Sequence, residues 1–85
     1  MKHFASSTFW VTYRALSPEI QRLADRCYEL LKSNPAHPSL HFKHVGRYRS
    51  VRVGLYYRAL GVEVPEGVVW FWVGTHAEYD KLIRS

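Results

Sequence analysis

Apolar positions in the first half of the chain recur at the spacing of a helix. Between residues 20 and 31 they fall three or four positions apart and would form one buried face: Ile20, Leu23, Ala24, Cys27, Leu30 and Leu31. Ser17 is a good N-cap residue and Pro18 suits the first helical position, whereas Asn34-Pro35 opposes further helix. The pattern therefore predicts a helix that begins after Ser17 and ends at Asn34-Pro35.

The segment before this helix fits two structures. Its apolar residues have helical spacing at positions 9, 13 and 16, but they also alternate at positions 9, 11, 13 and 15 as in a strand. Ser6 or Ser7 would serve as an N-cap, which favours the helix. Together the two segments predict a helical hairpin, preceded by a short edge strand at residues 2–5.

Beyond the NPAHP loop at residues 34–38 the apolar period falls to two, which predicts strands. The basic sequence GRYR (46–49) is expected to be a turn, and PEG (65–67) is a hairpin signal. The run from 68 to 73 is almost wholly apolar, as in a strand covered on both faces or at the centre of a sheet. The predicted strands contain Leu40, Phe42 and Val45; Val51, Val53 and Leu55; residues 57–62; and residues 68–73.

This order of elements predicts an α+β fold in which the helical hairpin packs on one face of a small, mainly antiparallel sheet. Eighty-five residues are enough for one hydrophobic core but not for two. We therefore expect a single domain over residues 1–85.

The composition indicates which classes of partner the chain is suited to bind. Twelve Lys and Arg against seven Asp and Glu give a net charge of +5, and eight of the twelve cations are arginine, the side chain best suited to bidentate phosphate contacts. A basic balance is compatible with a nucleic-acid partner but does not by itself indicate one.

The single cysteine, Cys27, excludes an intrachain disulfide and a zinc cluster built from thiolates. No apolar run approaches the ~20 residues of a membrane span, and the N-terminus lacks the apolar stretch of a signal peptide. We therefore expect a cytoplasmic protein with no membrane contact.

Residues 75–78 (THAE) match a capping box, so a short terminal helix is expected to begin here. His76 would lie in its first turn, near the unpaired backbone N–H groups that favour anions. This placement suits a histidine that acts on a phosphate. The alternative is that Thr75 and Glu78 cap the helix while His76 is merely solvated.

Arg58 lies inside an otherwise apolar strand, where a guanidinium needs an acid or a phosphate as its partner. The alternatives are a salt bridge or an exposed sheet face. Nearby arginines and tyrosines would complete a basic patch with aromatic rings for base stacking. The predicted patch consists of Arg47, Arg49, Arg52, Arg58, Tyr48 and Tyr56.

Three histidines lie close together at positions 37, 41 and 44. Pro38 rules out a regular helix that would bring His37 and His41 together, and residues 41 and 44 would face opposite sides of a strand. We therefore expect no metal site, although one of these imidazoles is able to reach a backbone phosphate.

Three segments follow the two predicted helices in this order: HPSLHFKHV (37–45), SVRVGLYYRALGV (50–62) and VWFWVGTHAEYD (69–80). Through these segments the chain resembles the RelE/ParE superfamily of toxins from type II toxin–antitoxin modules, and within it the RelE, HigB and YafQ families most closely. The resemblance covers essentially the whole chain. It implies a RelE-like fold of order β-α-α-β-β-β with a short C-terminal helix. Many members cut mRNA in the ribosomal A site without a metal, using the RNA's own 2′-OH as nucleophile.

The resemblance also implies site residues. Arg58 corresponds to a phosphate-stabilising arginine of the family, His76 to a histidine that acts as acid or base in YafQ-like members, and Tyr79 to a C-terminal aromatic. RelE itself relies on several lysines and arginines, so the general base stays open. The residues expected to bind RNA are Arg47, Arg49, Arg52, His41, His44 and Lys43.

The expected function is therefore that of a ribosome-dependent mRNA endoribonuclease that inhibits translation. Its partners would be the ribosome, mRNA and a cognate antitoxin, with no cofactor. Two alternatives stay open: a ParE-like poison of DNA gyrase without nuclease activity, and a catalytically inactive RNA-binding relative.

Overall fold

A computed structural model describes residues 1–84. This part of the chain forms a sheet of five strands, three α-helices and one short 3₁₀ turn. In chain order they are β1 (Lys2–Ala5), α1 (Ser7–Arg14), α2 (Pro18–Ser33), the 3₁₀ turn (Pro38–Leu40), β2 (Lys43–Val45), β3 (Tyr48–Val53), β4 (Tyr57–Val64), β5 (Gly67–Thr75) and α3 (His76–Arg84).

The strands lie in the order β1-β5-β4-β3-β2. β1 runs parallel to β5, and every other neighbouring pair is antiparallel. The predicted α+β fold with a mainly antiparallel sheet is therefore confirmed. The apolar run of β5 is explained by its place between β1 and β4, with neighbours on both sides.

The helical hairpin begins and ends where local signals predict. The Ser6 hydroxyl accepts a hydrogen bond from the Phe9 backbone N–H and so caps α1. Ser17 precedes α2 in an extended conformation, with Pro18 in the first turn, and Asn34 follows the last helical residue. The two-helix interpretation of the first half is confirmed.

The hairpin packs on one face of the sheet, called here the hairpin face. This face presents alternate residues of β3 and β4, which is the periodicity of a strand with one buried side. In β5 a register shift interrupts the alternation, so that residues 68, 70 and 73 share this face. Burial of one such aliphatic side chain contributes about 1.5–3 kcal/mol. The core cluster consists of Ala24, Leu31, Leu40, Val51, Val53, Ala59, Val68, Trp70 and Val73.

α3 packs on the opposite side of the sheet, called here the second face. Tyr79 of α3 is only 5% exposed, and Ser50 of β3 donates a hydrogen bond to its hydroxyl oxygen over 3.0 Å. Every second side chain of a strand lies on the same face. The second face therefore also carries Tyr48 and Arg52, each two positions from Ser50 along β3. The sequence predicts this terminal helix but not the face on which it packs.

The structure corrects three strand boundaries. The predicted first strand shrinks to β2, because Leu40 lies in the 3₁₀ turn and His41 has a left-handed φ of 45° that interrupts the extended chain. The predicted turn at 46–49 also shortens, because Tyr48 and Arg49 already pair in β3. Leu55 lies in the turn between β3 and β4 and is 72% exposed. Four strands follow the hairpin, the number that the apolar pattern predicts, whereas the order implied by the resemblance has three.

Candidate functional site

Two arginines face each other across β3 and β4. The register pairs Arg52 directly with Arg58, and both lie on the second face. Like charges directly opposite each other in an antiparallel pair are destabilising. Neither arginine forms a salt bridge with any acid in residues 1–84. This arrangement leaves two cations ready for an anionic partner.

The hydrogen bonds of the two guanidinium groups are incomplete. Arg58 Nη1 donates to the Tyr57 carbonyl over 2.8 Å, but Arg52 Nε is buried and finds no acceptor within residues 1–84. An unsatisfied buried donor costs about 1–3 kcal/mol.

The electrostatic surroundings of Arg58 extend to α3. Burial lowers the pKa of Arg58 below its ordinary value, and the charge of Arg52 lowers it further. Tyr79 and Asp80 of α3 act in the opposite direction on the same pKa. Since a guanidinium keeps its proton at any physiological pH, both arginines are charged. Arg58 is therefore within electrostatic range of Asp80 in α3.

The start of α3 is fixed by the predicted capping box. Thr75 Oγ1 accepts the Glu78 backbone N–H over 3.2 Å, while Glu78 Oε1 accepts the Thr75 backbone N–H over 3.0 Å and its hydroxyl over 2.9 Å. These hydrogen bonds lower the pKa of the Glu78 carboxyl. A Cβ at Gly74 would lie 2.4 Å from the Trp72 ring and 2.8 Å from Glu78 Oε1, so only glycine fits beside the cap.

His76 is the first residue of α3. Its backbone N–H donates to the Tyr56 carbonyl over 2.8 Å, which ties α3 to the turn between β3 and β4. Its Nε2 lies 3.3 Å from Asp80 Oδ1, one helical turn further on, and the side chain is 49% exposed. The other ring nitrogen, Nδ1, has no hydrogen-bond partner in the described part of the chain. That nitrogen is therefore free to exchange a proton with a ligand.

The arginine pair and the His76–Asp80 pair lie at the same end of the second face. Arg58 is opposite Gly74 in the β4–β5 register, just before the chain enters α3 at His76. The sequence analysis did not identify Asp80. The sequence does contain a signal for this residue: His76 and Asp80 are four positions apart, and residues at that spacing on a helix are neighbours.

Tyr79, the third predicted catalytic residue, lies in the interior. Its hydroxyl accepts the hydrogen bond from Ser50, and its ring centroid is 5.8 Å from that of His76. Burial and this bond favour a role in positioning α3, and through it His76, over direct contact with a substrate.

The predicted patch of four arginines is divided between the two faces. Arg49 lies on the hairpin face, with its guanidinium 3.9 Å above the Phe42 ring. It contacts His44 and lies 3.6 Å from Glu63, and His44 itself lies 3.5 Å from Glu63. The prediction of one continuous patch is wrong, because strand alternation places residue 49 on the opposite side from Arg52.

The other predicted RNA-binding residues lie in different places. Lys43 is opposite Ser50 in the β2–β3 register and thus belongs to the second face. Arg47 lies in the β2–β3 turn, 5.4 Å from the centre of the Tyr48 ring. His41 is exposed in the left-handed bend before β2. Arg52, Lys43 and the Arg47–Tyr48 stack are therefore the predicted groups near the second face.

The same residues lack two other classes of feature. In the described range 1–84, no three His, Cys, Asp or Glu side chains converge in a way that would hold a metal ion. None of the helices in that range combines the length and the apolar content needed to cross a membrane.

Comparison with known proteins finds similarity in structure but not in sequence. No family model and no curated protein matches the sequence. A chain of the RelB–RelE antitoxin–toxin complex from Methanococcus jannaschii superposes with a TM-score of 0.71 at 14% identity, covering 93% of this chain and 96% of that one. The isolated E. coli RelE toxin gives 0.61 at 11% identity, covering 96% and 95%. The chain therefore has a RelE-like toxin fold over nearly its whole length, as the sequence predicted.

Proposed function

We propose that this protein is the toxin of a type II toxin–antitoxin module and that it cleaves mRNA on the ribosome. The observation that carries the proposal is the unpaired couple Arg52–Arg58 beside the His76–Asp80 pair. Two cations that lack an acid suit the charge of a phosphodiester, and an accessible imidazole is able to accept and donate a proton. The RelE-like fold supports the same assignment.

The proposed reaction needs no metal. The 2′-oxygen of the RNA attacks the adjacent phosphorus, the O2′–P bond forms, and the P–O5′ bond breaks. The products are a 2′,3′-cyclic phosphate and a free 5′-hydroxyl. One proton must leave the 2′-OH and one must reach the departing O5′, so a single group that accepts and then donates a proton balances the reaction.

His76 is the proposed proton carrier. Nδ1 takes the proton from the 2′-OH and later delivers it to O5′, which is worth about 10²–10⁴-fold in rate. Asp80, 3.3 Å from Nε2, holds the ring in orientation and stabilises the imidazolium that forms in between. This division of roles follows the same logic as an aspartate behind a catalytic histidine in hydrolases.

Arg58 and Arg52 are the proposed charge-stabilising groups. Negative charge grows on the non-bridging oxygens as the fifth bond to phosphorus forms. Guanidinium donors fixed in advance stabilise that charge without reorganisation, and loss of one such donor typically costs about 10²–10³-fold in rate.

The ribosome and an antitoxin are the proposed partners. An in-line attack by a 2′-oxygen requires a bent RNA backbone, and much of the rate enhancement comes from holding that geometry; the A site would present the mRNA in this form. An antitoxin with an acidic segment would neutralise the second face. The Methanococcus jannaschii neighbour comes from an antitoxin–toxin complex.

A reconstituted translation reaction tests the proposal. With the purified protein added, we expect new mRNA 5′ ends that require ribosomes and that disappear with His76→Ala or Arg58→Gln. Arg22→Gln, which removes one exposed charge from α2, is the matched control and should cut normally. Intact mRNA together with gyrase-dependent DNA breaks would instead support a ParE-like poison. Equal growth arrest by wild-type protein and His76→Ala would support a non-catalytic relative.

A further inference from the structure

The turn between β3 and β4 exposes two large side chains. Leu55 is 72% exposed and Tyr56 is 74% exposed. The turn joins the strand ends that carry Arg52 and Arg58. Side chains this exposed add little to the core, so the folding of the chain does not explain their presence at this place.

The backbone of this turn is nevertheless held firmly. Gly54 has a left-handed φ of 67°, and a Cβ there would lie 2.5 Å from Leu23 of α2, so the turn sits tightly on the hairpin. On the other side, the Tyr56 carbonyl accepts the His76 backbone N–H. A fixed backbone with exposed side chains loses little additional freedom when a ligand binds.

The geometry points to Tyr56, supported by Leu55, as the platform on which one base of the RNA stacks beside the cleaved linkage. This inference rests on the proposed function. Tyr56 is the last residue of the turn and lies two positions before Arg58. The positive pair that flanks the turn selects a polyanion, and the part of a polynucleotide that matches an aromatic ring is a base.

The stacking contact adds affinity to the phosphate contacts of the arginines. Phosphate contacts position a nucleic acid but carry no sequence information. Every base has a π-face, and base–aromatic stacking contributes enough binding free energy to change affinity about fivefold to 150-fold per base. Tyr56 therefore strengthens binding and holds one base of the codon beside the site, whichever base it is.

Ribosomes programmed with synthetic mRNAs provide the test. Four mRNAs are compared: one intact, and three in which a single nucleotide of the A-site codon is abasic but keeps its 2′-OH. On intact mRNA, Tyr56→Ala should lower kcat/KM by about fivefold to 150-fold, whereas Tyr56→Phe retains the ring and should cut like wild type. Val11→Ala, which trims another exposed apolar side chain on α1, should have no effect.

The abasic mRNAs identify the contact. At one codon position, removal of the base should abolish the difference between wild-type protein and Tyr56→Ala. If the variant loses the same activity on all four mRNAs, Tyr56 contacts a protein or ribosomal surface and the inference is overturned. It is also overturned if Tyr56→Ala cuts intact mRNA normally. Failure of the wild-type protein to cut any mRNA would instead defeat the proposed function itself.

Discussion

Arg52 and Arg58 stand directly opposite each other in the β3–β4 pair, and no acid in residues 1–84 forms a salt bridge with either. A sheet optimised for stability alone would place an acid or an apolar residue at one of these positions. Natural proteins often retain such unfavourable arrangements where binding or catalysis requires them. The pair is therefore the strongest sign of function in the fold.

Removal of one arginine should separate stability from activity. Arg58→Gln relieves the repulsion, so the free energy of unfolding should stay unchanged or rise by up to about 1 kcal/mol, while mRNA cleavage falls about 10²–10³-fold. Urea denaturation and a ribosome-dependent cleavage assay measure the two effects. A large loss of stability would mean that Arg58 is structural.

Asp80 should act through His76. Asp80→Asn keeps the size of the side chain but removes the charge that stabilises the imidazolium, so kcat should fall while KM stays near the wild-type value. Asp80→Glu, which restores a carboxylate, should recover part of the loss. Steady-state measurements of kcat and KM for both variants test whether Asp80 acts through His76. An Asp80→Asn protein with normal kcat would exclude this role.

The Ser50–Tyr79 hydrogen bond should matter for stability more than for chemistry. Tyr79→Phe leaves the buried Ser50 hydroxyl without its acceptor, at a cost of about 1–3 kcal/mol. The double variant with Ser50→Ala should lose less than the sum of the two single changes. Cleavage by Tyr79→Phe, measured well below its melting temperature, should be normal. Its loss in fully folded protein would restore the direct catalytic role predicted from the sequence.

His3 should make stability depend on pH. Its Nδ1 accepts a hydrogen bond from Trp70 Nε1 over 3.1 Å, and burial, followed by nearby positive charges, lowers the pKa of His3 below 6.5. The unfolded chain then binds the proton at higher pH than the folded one, so stability is lost as pH falls below 6.5. The melting temperature of the wild-type protein should drop more between pH 8 and pH 5 than that of His3→Phe. Equal drops would contradict the assignment.

The Glu78 cap should contribute to the free energy of unfolding only while its carboxyl is ionised. Because its pKa is lowered in the fold, the contribution is present above the unfolded value of 4.5 and disappears as pH falls below it. Because Gln keeps the acceptor of the capping box and loses only the charge near the helix N-terminus, Glu78→Gln should therefore cost about 0.3–1 kcal/mol at pH 7 and progressively less in acid. Chemical denaturation at several pH values measures this difference, and a cost that is independent of pH would refute it.

The fold was predictable wherever the signal is local. α2 follows from its own apolar period and from Pro18 and Asn34 at its ends, and the start of α3 follows from the capping box. The parts that failed depend on distant partners. Strand pairing extends β3 back to Tyr48 within a sequence that resembles a turn, and the left-handed His41 shortens β2.

The candidate site was predictable in residue type more than in position. A shift of one residue in a strand moves a side chain to the other face. The sequence places Arg49 and Arg52 close together, but their side chains lie on opposite faces of the sheet. The burial of Tyr79 depends on which face α3 covers, and that is decided by contacts far away in sequence.

Removal of one 2′-hydroxyl from the RNA gives the most direct test of the proposed reaction. A synthetic mRNA is loaded on ribosomes, its cut site is mapped with the wild-type protein, and the nucleotide before that site is replaced by its 2′-deoxy form. We predict a 2′,3′-cyclic phosphate on the intact mRNA and no cleavage at the 2′-deoxy position, in the presence or absence of a metal chelator that spares the ribosome. Cleavage that persists without the 2′-OH, or that is unaffected by His76→Ala, would contradict the proposed reaction.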